Sequence, residues 1–209
     1  MINDKIRHLQ ECLKGELPGR KAQELMAPSI RPRGSALFDG SNPRSSGVMI
    51  LLFPTEQGIS TVFIVRTAGG PHGGQISLPG GKQEKSDRDL SKTALRETQE
   101  EIGVDPSSIL EIGTLTPLYV PHSNFFIQPV IGFVEFHPTF IPDQKEVAGV
   151  IEIPLMQLFD PKNRKSMILS AAGAEITAPY YEASGHRIWG ATAMIISEFE
   201  RIFISCISG

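Results

Sequence analysis

Gly80-Gly81-Lys82 and, further on, Arg96-Glu97-Thr98-Gln99-Glu100-Glu101-Ile102-Gly103-Val104 decide the reading of this chain. If the second stretch is helical, Glu97, Glu100 and Glu101 stand at i, i+3 and i+4 and share one face, with Cβ atoms about 5–6 Å apart. They fall in the last turn before Gly103, the residue type that ends helices in the left-handed conformation, so they face the negative end of the helix dipole. Each carboxylate there costs about 0.3–1 kcal/mol against the dipole, with mutual repulsion on top. A divalent cation relieves both, and hard oxygen ligands select Mg²⁺ or Mn²⁺. A lone Glu-Glu pair is ordinarily an exposed acidic helix face. The Gly-Gly entry and the preceding arginine set this one apart.

These residues resemble the Nudix box, whose usual form is Gly-x5-Glu-x7-Arg-Glu-hydrophobic-x-Glu-Glu-x-Gly-hydrophobic. Arg96, Glu97, Glu100, Glu101 and Gly103 match without adjustment. The first acid of the pattern falls on Asp87, one residue further from Arg96 than usual, which leaves Asp87 and Asp89 as rival candidates, and Thr98 fills a hydrophobic slot. The resemblance implies an α+β fold of the Nudix α/β/α type with a mixed sheet, preceded by an extra N-terminal helical segment. It also implies that Glu97, Glu100 and Glu101 bind Mg²⁺ or Mn²⁺ while Arg96 orients Glu97 or Glu100 rather than touching substrate. The general base is either a box glutamate, Glu97 or Glu100, or an acid from outside, for which Glu146 before an apolar strand is the candidate; a plain surface charge beside Lys145 is the competing reading of Glu146.

A chain of 209 residues can bury one sizeable core, and a single domain is expected, with 1–46 a helical segment and surface loop belonging to the domain formed by 47–209. Twenty basic against 23 acidic residues, a net charge of -3, provide no electrostatic footprint for nucleic acid or an anionic membrane. Cys12 and Cys206 lie far apart in sequence, so two buried or inert thiols are expected and a cytoplasmic location fits. Met1 to Gln10 carries Asp4, Lys5 and Arg7 without an apolar signal core, and no later run reaches membrane-spanning length.

Along the chain, Ile2, Ile6, Leu9 and Leu13 have helical spacing, and Leu25 and Met26 suggest a second short helix after Pro18-Gly19. Pro28 to Gly47 reads as a loop. Val48 to Phe53 and Thr61 to Val65 read as a hairpin around Glu56-Gln57-Gly58. Strands are predicted at Ile109 to Tyr119, Phe125 to Phe136 and Val147 to Ile153, then a helix from Pro154 to Phe159 and a final amphipathic helix from Trp189 to Phe199. The Lys162-Asn163-Arg164-Lys165 cluster reads as a solvated loop, and Trp189 and Phe125-Phe126 as core rather than adenine-stacking groups.

Between the hairpin and the box, Arg66-Thr67-Ala68-Gly69-Gly70-Pro71-His72-Gly73-Gly74-Gln75-Ile76-Ser77-Leu78-Pro79-Gly80-Gly81 mixes cationic, imidazole and amide groups with glycines that permit close backbone approach. It is similar to the segment before the box in the coenzyme A pyrophosphatase branch of Nudix enzymes, matching at Arg66, His72, Gly74, Gln75, Pro79, Gly80 and Gly81. Ala68-Gly69-Gly70-Pro71 replaces that branch's Leu-Arg pair. The resemblance implies substrate contacts from Arg66, His72, Gly74, Gln75, Gly80 and Gly81, with Arg66 and His72 clear of the metal. It implies hydrolysis of coenzyme A or an acyl derivative to 3′,5′-ADP and a 4′-phosphopantetheine product. ADP-ribose, NADH or dinucleoside polyphosphates are the rival substrates, and a non-catalytic nucleotide-sensing module is the rival class. The expected partner is a small nucleotide, with neither nucleic acid nor membrane, and the N-terminal and final helices offer a face for a homodimer.

Overall fold

The computed structural model describes residues 2–29, 42–69, 73–121, 123–171 and 174–207. The apolar run predicted from Val48 is the middle of β1 (Arg44–Thr55), which pairs antiparallel with β2 (Gly58–Arg66) through the turn at Glu56-Gln57. β1 begins earlier than expected, inside the stretch assigned to loop. Arg44 to Ser46 have little apolar content, and their pairing comes from neighbours: Arg44 lies opposite Phe125 and Ser46 opposite Lys82.

One eight-stranded mixed sheet forms the centre. Its path runs β3 (Ile76–Ser77), β2, β1, β7 (Phe125–Phe133), β5 (Leu110–Thr114), with β4 (Gly80–Lys82) added on β1, β6 (Leu118–Val120) on β7 and β8 (Val147–Pro154) on β2. β1 and β7 are parallel, and the other pairs are antiparallel. β1 is buried on both sides, which is why it is apolar without alternation. Met49, Leu51 and Phe53 face α3 (Leu90–Ile102), where Ala94, Leu95 and Ile102 complete one core layer. Ile50 and Leu52 face the opposite layer, made by α1 (Ile2–Leu13) and α5 (Gly190–Ile207). This is the α/β/α sandwich anticipated from the sequence, with α1 and the short α2 (Gly19–Gln23) added beside α5.

The expected single strand from Ile109 to Tyr119 is two, interrupted at Leu115-Thr116-Pro117. The helix placed after Pro154 is one turn, α4 (Leu155–Leu158). Arg164 and Lys165 are not loop. They open β9 (Arg164–Ala171), which pairs with β10 (Ala174–Ala183), and β10 pairs with β11 (His186–Trp189) in a separate three-stranded sheet that the sequence reading missed. The Arg164 guanidinium is anchored there by Glu200 of α5, which accepts two bonds from its Nη2 at 2.7 and 2.6 Å. Trp189, Phe125 and Phe126 are partly buried rather than core, and the Arg44 guanidinium lies 4.1 Å from the Phe125 ring centre.

The cysteine expectation is overturned: Cys12 of α1 and Cys206 of α5 form a disulfide. Two residues far apart in sequence meet because the apolar stripe of α1 seats on α5, burying Ile6, Leu9 and Leu13 against Phe199 and Phe203. The pairing removes the cysteine-based ground for a reducing compartment. The same packing uses internally the helix faces suggested for a homodimer, since most of α5 is buried. Among the described residues no helix is long and apolar enough to cross a membrane.

Candidate active site

α3 begins at Asp89, whose side chain caps the helix by accepting the Lys92 N–H at 2.9 Å, and ends at Gly103, which takes the left-handed conformation at φ 73°. The rival acids Asp87 and Asp89 have different partners. Asp89 is a cap, whereas Asp87 faces Arg96 and accepts from its Nε at 3.1 Å and Nη2 at 3.0 Å. Arg96 also gives Nη1 to Glu100 at 2.7 Å and Glu97 at 2.9 Å, and Nη2 to the Lys82 carbonyl at 3.1 Å. A guanidinium has five N–H donors, and all five are engaged. Arg96 therefore has no further donor in this state, and it contacts both Glu97 and Glu100.

The Arg96 guanidinium, helped by the Glu84 N–H and the Thr93 hydroxyl, holds the Asp87 carboxyl down to about 2. A depressed carboxylate stabilises the fold above its unfolded pKa, and that contribution disappears as pH falls through the folded value. Asp87→Asn should therefore destabilise the neutral protein by about 2 kcal/mol, the scale of hydrogen bonds to a charged group. Urea unfolding at a series of pH values checks this: the gap between parent and variant should close between pH 3.8 and about 2. A gap independent of pH would show that the ionic pairing contributes nothing.

Glycine is required where the β4 strand meets α3. Gly80 has φ 150°, and a Cβ there would lie 2.5 Å from the Gly47 carbonyl oxygen; a Cβ on Gly81 would lie 2.5 Å from the Glu97 carboxyl carbon. The bare backbone lets both glutamates of one helix face reach the strand. Glu101 Oε2 accepts the Gly80 N–H at 2.8 Å, and Glu101 is 2% exposed. Burial pushes its carboxyl up to about 7, opposed by the Gly80 hydrogen bond and the Arg66 charge. Burial likewise raises Glu97, with Arg96 opposing. Thr98, the odd residue in the box, sits buried because its hydroxyl donates to the Ala94 carbonyl at 2.6 Å.

Arg66 stands closer to the box than expected: Nη1 lies 3.7 Å from Glu101 Oε1. Its backbone shapes the preceding loop, with Arg66 N–H donating to the Gln75 carbonyl at 3.0 Å and the Arg66 carbonyl accepting from Gly74 at 2.9 Å. Gly74, at φ 75°, makes that turn, and Gln75 is partly buried beside it. His72 lies outside the described residues. Glu146 is exposed just before β8, where Arg66 pairs with Val147, and its charge adds to the raising of both Glu97 and Glu101. The outside acid is thus brought to the same end of the sheet as the box.

The oxygen donors of Glu97, Glu100 and Glu101 fit Mg²⁺ or Mn²⁺ in kind, and the Gly81 gap admits the Glu97 carboxylate. Among the described residues no three acidic, His or Cys side chains already converge as a ligand set. The repulsion anticipated from the sequence is relieved in this state by Arg96 on Glu97 and Glu100 and by Arg66 on Glu101.

A glycine-edged strand locked to a helix of charge-compensated glutamates, on an α/β/α sandwich, defines a class, and sequence comparison gives that class its name. The NUDIX domain model matches residues 43–169. An uncharacterized Nudix hydrolase, NudL, of Yersinia pestis is 32% identical over 166 residues, covering 78% of this chain and 80% of that protein. The mitochondrial Nudix hydrolase 15 of Arabidopsis thaliana is 34% identical over 168 residues, covering 76% of this chain and 58% of its own length. The chloroplastic Nudix hydrolase 22 of the same plant is 34% identical over 184 residues, 83% of this chain and 57% of that one. The chain spans a little under three-fifths of the length of these two plant relatives. A MutT/nudix family protein from Enterococcus faecalis, 19% identical, has the same fold, with a TM-score of 0.53 over 86% of this chain and 70% of that one. This chain belongs to the Nudix family.

Proposed function

We propose that the chain hydrolyses a diphosphate bond in a nucleoside diphosphate derivative with the help of Mg²⁺ or Mn²⁺. The observation that carries this reading is the approach of Glu97 and Glu101 to Gly80-Gly81: Glu101 accepts the Gly80 N–H, the Glu97 carboxyl occupies the space a Gly81 side chain would need, and Arg96 is saturated beside them. Diphosphate phosphorus is shielded by anionic oxygens, so hydrolysis needs charge neutralisation, alignment and a deprotonated water. A cation held by Glu97, Glu100 and Glu101 would supply the neutralisation. Arg96 orients Glu97 and Glu100, and Glu146 or a box glutamate removes the proton from water. The Gly74, Gln75, Gly80 and Gly81 backbone lines the approach, with Arg66 and His72 completing the phosphate contacts.

Coenzyme A or an acyl derivative is the proposed substrate, supported by the likeness of the Arg66 to Gly81 segment to that branch. The products would be 3′,5′-ADP and a 4′-phosphopantetheine species. Purified protein should be assayed on coenzyme A, dephospho-coenzyme A, ADP-ribose, NADH and dinucleoside polyphosphates, with each metal. The largest kcat/KM is expected on coenzyme A. A larger value on ADP-ribose or a dinucleotide would overturn the substrate and keep the reaction. Tight nucleotide binding without product in either metal would mark a sensing module instead. A single domain stays with this proposal, as do a homodimer through a face other than the one buried between α1 and α5, and a cytoplasmic location for which the cysteines no longer argue.

A further inference from the structure

Arg66 and Arg96 both face box carboxylates, but they are seated differently. Arg96 is fixed by five donor contacts, two of them to Asp87, which is not a box glutamate. Arg66 has a side chain 37% exposed, and its ion pair with Glu101 spans 3.7 Å, longer than a hydrogen bond. The carboxylate it faces is buried, and a buried carboxylate needs a nearby positive charge or a proton. Glu97 and Glu146 add negative charge around it, while Arg66 supplies positive charge and Gly80 one N–H donor. Arg66 also ends β2 with its backbone pinned by Gln75 and Gly74, so its side chain can leave Glu101 without moving the strand.

We propose that Arg66 holds the place of the divalent cation: its guanidinium neutralises Glu101 in the metal-free chain, and the metal and Arg66 compete for that carboxylate. This inference rests on the metal-dependent reading above. Metal entry then releases a partly exposed guanidinium at the loop where the diphosphate approaches, so that loading the metal also arms the substrate contact. Arg66 is a positioning residue in the metal-free state and becomes available to substrate afterwards.

The test is calorimetric titration with Mg²⁺ alone, without nucleotide, at about pH 8.5, well above the ordinary carboxylate range. Arg66→Gln removes the competing charge and should bind Mg²⁺ about three- to tenfold more tightly than the parent, while Arg66→Lys, which restores a cation, should return to within about twofold of it. Arg66→Met is a second neutral variant and should behave as Arg66→Gln does. Thermal melting confirms that each is folded. Equal or weaker Mg²⁺ binding by the neutral variants, with a parent that binds saturably, would overturn the placeholder role and leave the metal site standing. A parent without saturable Mg²⁺ binding would overturn both.

Discussion

Replacing Glu97 with Gln is expected to lower the rate of the proposed diphosphate hydrolysis by about a thousandfold while the protein remains folded. The amide keeps the shape of the side chain and an oxygen for the Arg96 Nη1, which lies 2.9 Å from Glu97 Oε1. It removes the negative charge from the carboxyl that Gly81 admits. Metal ions contribute several kcal/mol of transition-state charge stabilisation, and about 4 kcal/mol corresponds to a thousandfold. The melting temperature without metal should move little, because Arg96 retains Asp87 and Glu100. The rise in melting temperature on adding Mg²⁺ should shrink, since stabilisation by a ligand follows its affinity. Turnover within tenfold of the parent and an unchanged response to Mg²⁺ would remove Glu97 from the site. Glu101→Gln tests a different point. Its amide oxygen can keep the Gly80 N–H only by turning the NH2 toward Arg66, and Glu101 is buried, so some stability should be lost along with activity.

The parts of this fold that read clearly from sequence are those whose signal is local. The β1 core shows as Val48 to Phe53 because a strand covered on both faces has no room for polar residues. The α3 helix shows because its acidic face and Gly103 terminator lie within one stretch. What was missed depends on partners distant in sequence. Arg164 and Lys165 have the composition of a solvated loop, and only the pairing with Tyr181 and Tyr180 and the Glu200 carboxylate make them strand. Cys12 and Cys206 are separated by nearly the whole chain, and no spacing rule connects two residues brought together by helix packing. The site divides in the same way. The candidate box glutamates and Arg96 stand together in one stretch of sequence, whereas the different partners of Asp87 and Asp89 depend on which carboxylate the Arg96 fork reaches. The contact of Arg66 with Glu101 crosses from a strand to a helix and had no trace in the motif.

Gly47→Ala should destabilise the protein by about 3 kcal/mol or more and lower its melting temperature by about 6–12 °C, with activity falling alongside. A Cβ at position 47 would lie 2.2 Å from the Leu90 carbonyl oxygen, 2.9 Å from the Ala94 nitrogen and 3.1 Å from the Thr93 Cβ. Two of these are backbone atoms of α3 itself, so no rotamer change relieves the clash, and the helix must move off β1 or β1 must bend. Either movement reaches the site. Gly47 pairs with Gly81, and the same helix carries Arg96, Glu97, Glu100 and Glu101, so a shift at its start pulls the carboxylates from the glycine edge they are fitted to. Misplacement of about 1 Å is enough to cost about a hundredfold in rate. Gly149→Ala is the contrast: its Cβ would meet Val65 at 3.7 Å, an ordinary contact, and stability should stay within about 0.5 kcal/mol of the parent. Differential scanning calorimetry of the two variants separates close helix-strand approach from a general intolerance of side chains in the sheet. Equal melting temperatures would mean that α3 is free to slide, and the fitted seating of Glu97 against Gly81 would then lose its structural basis.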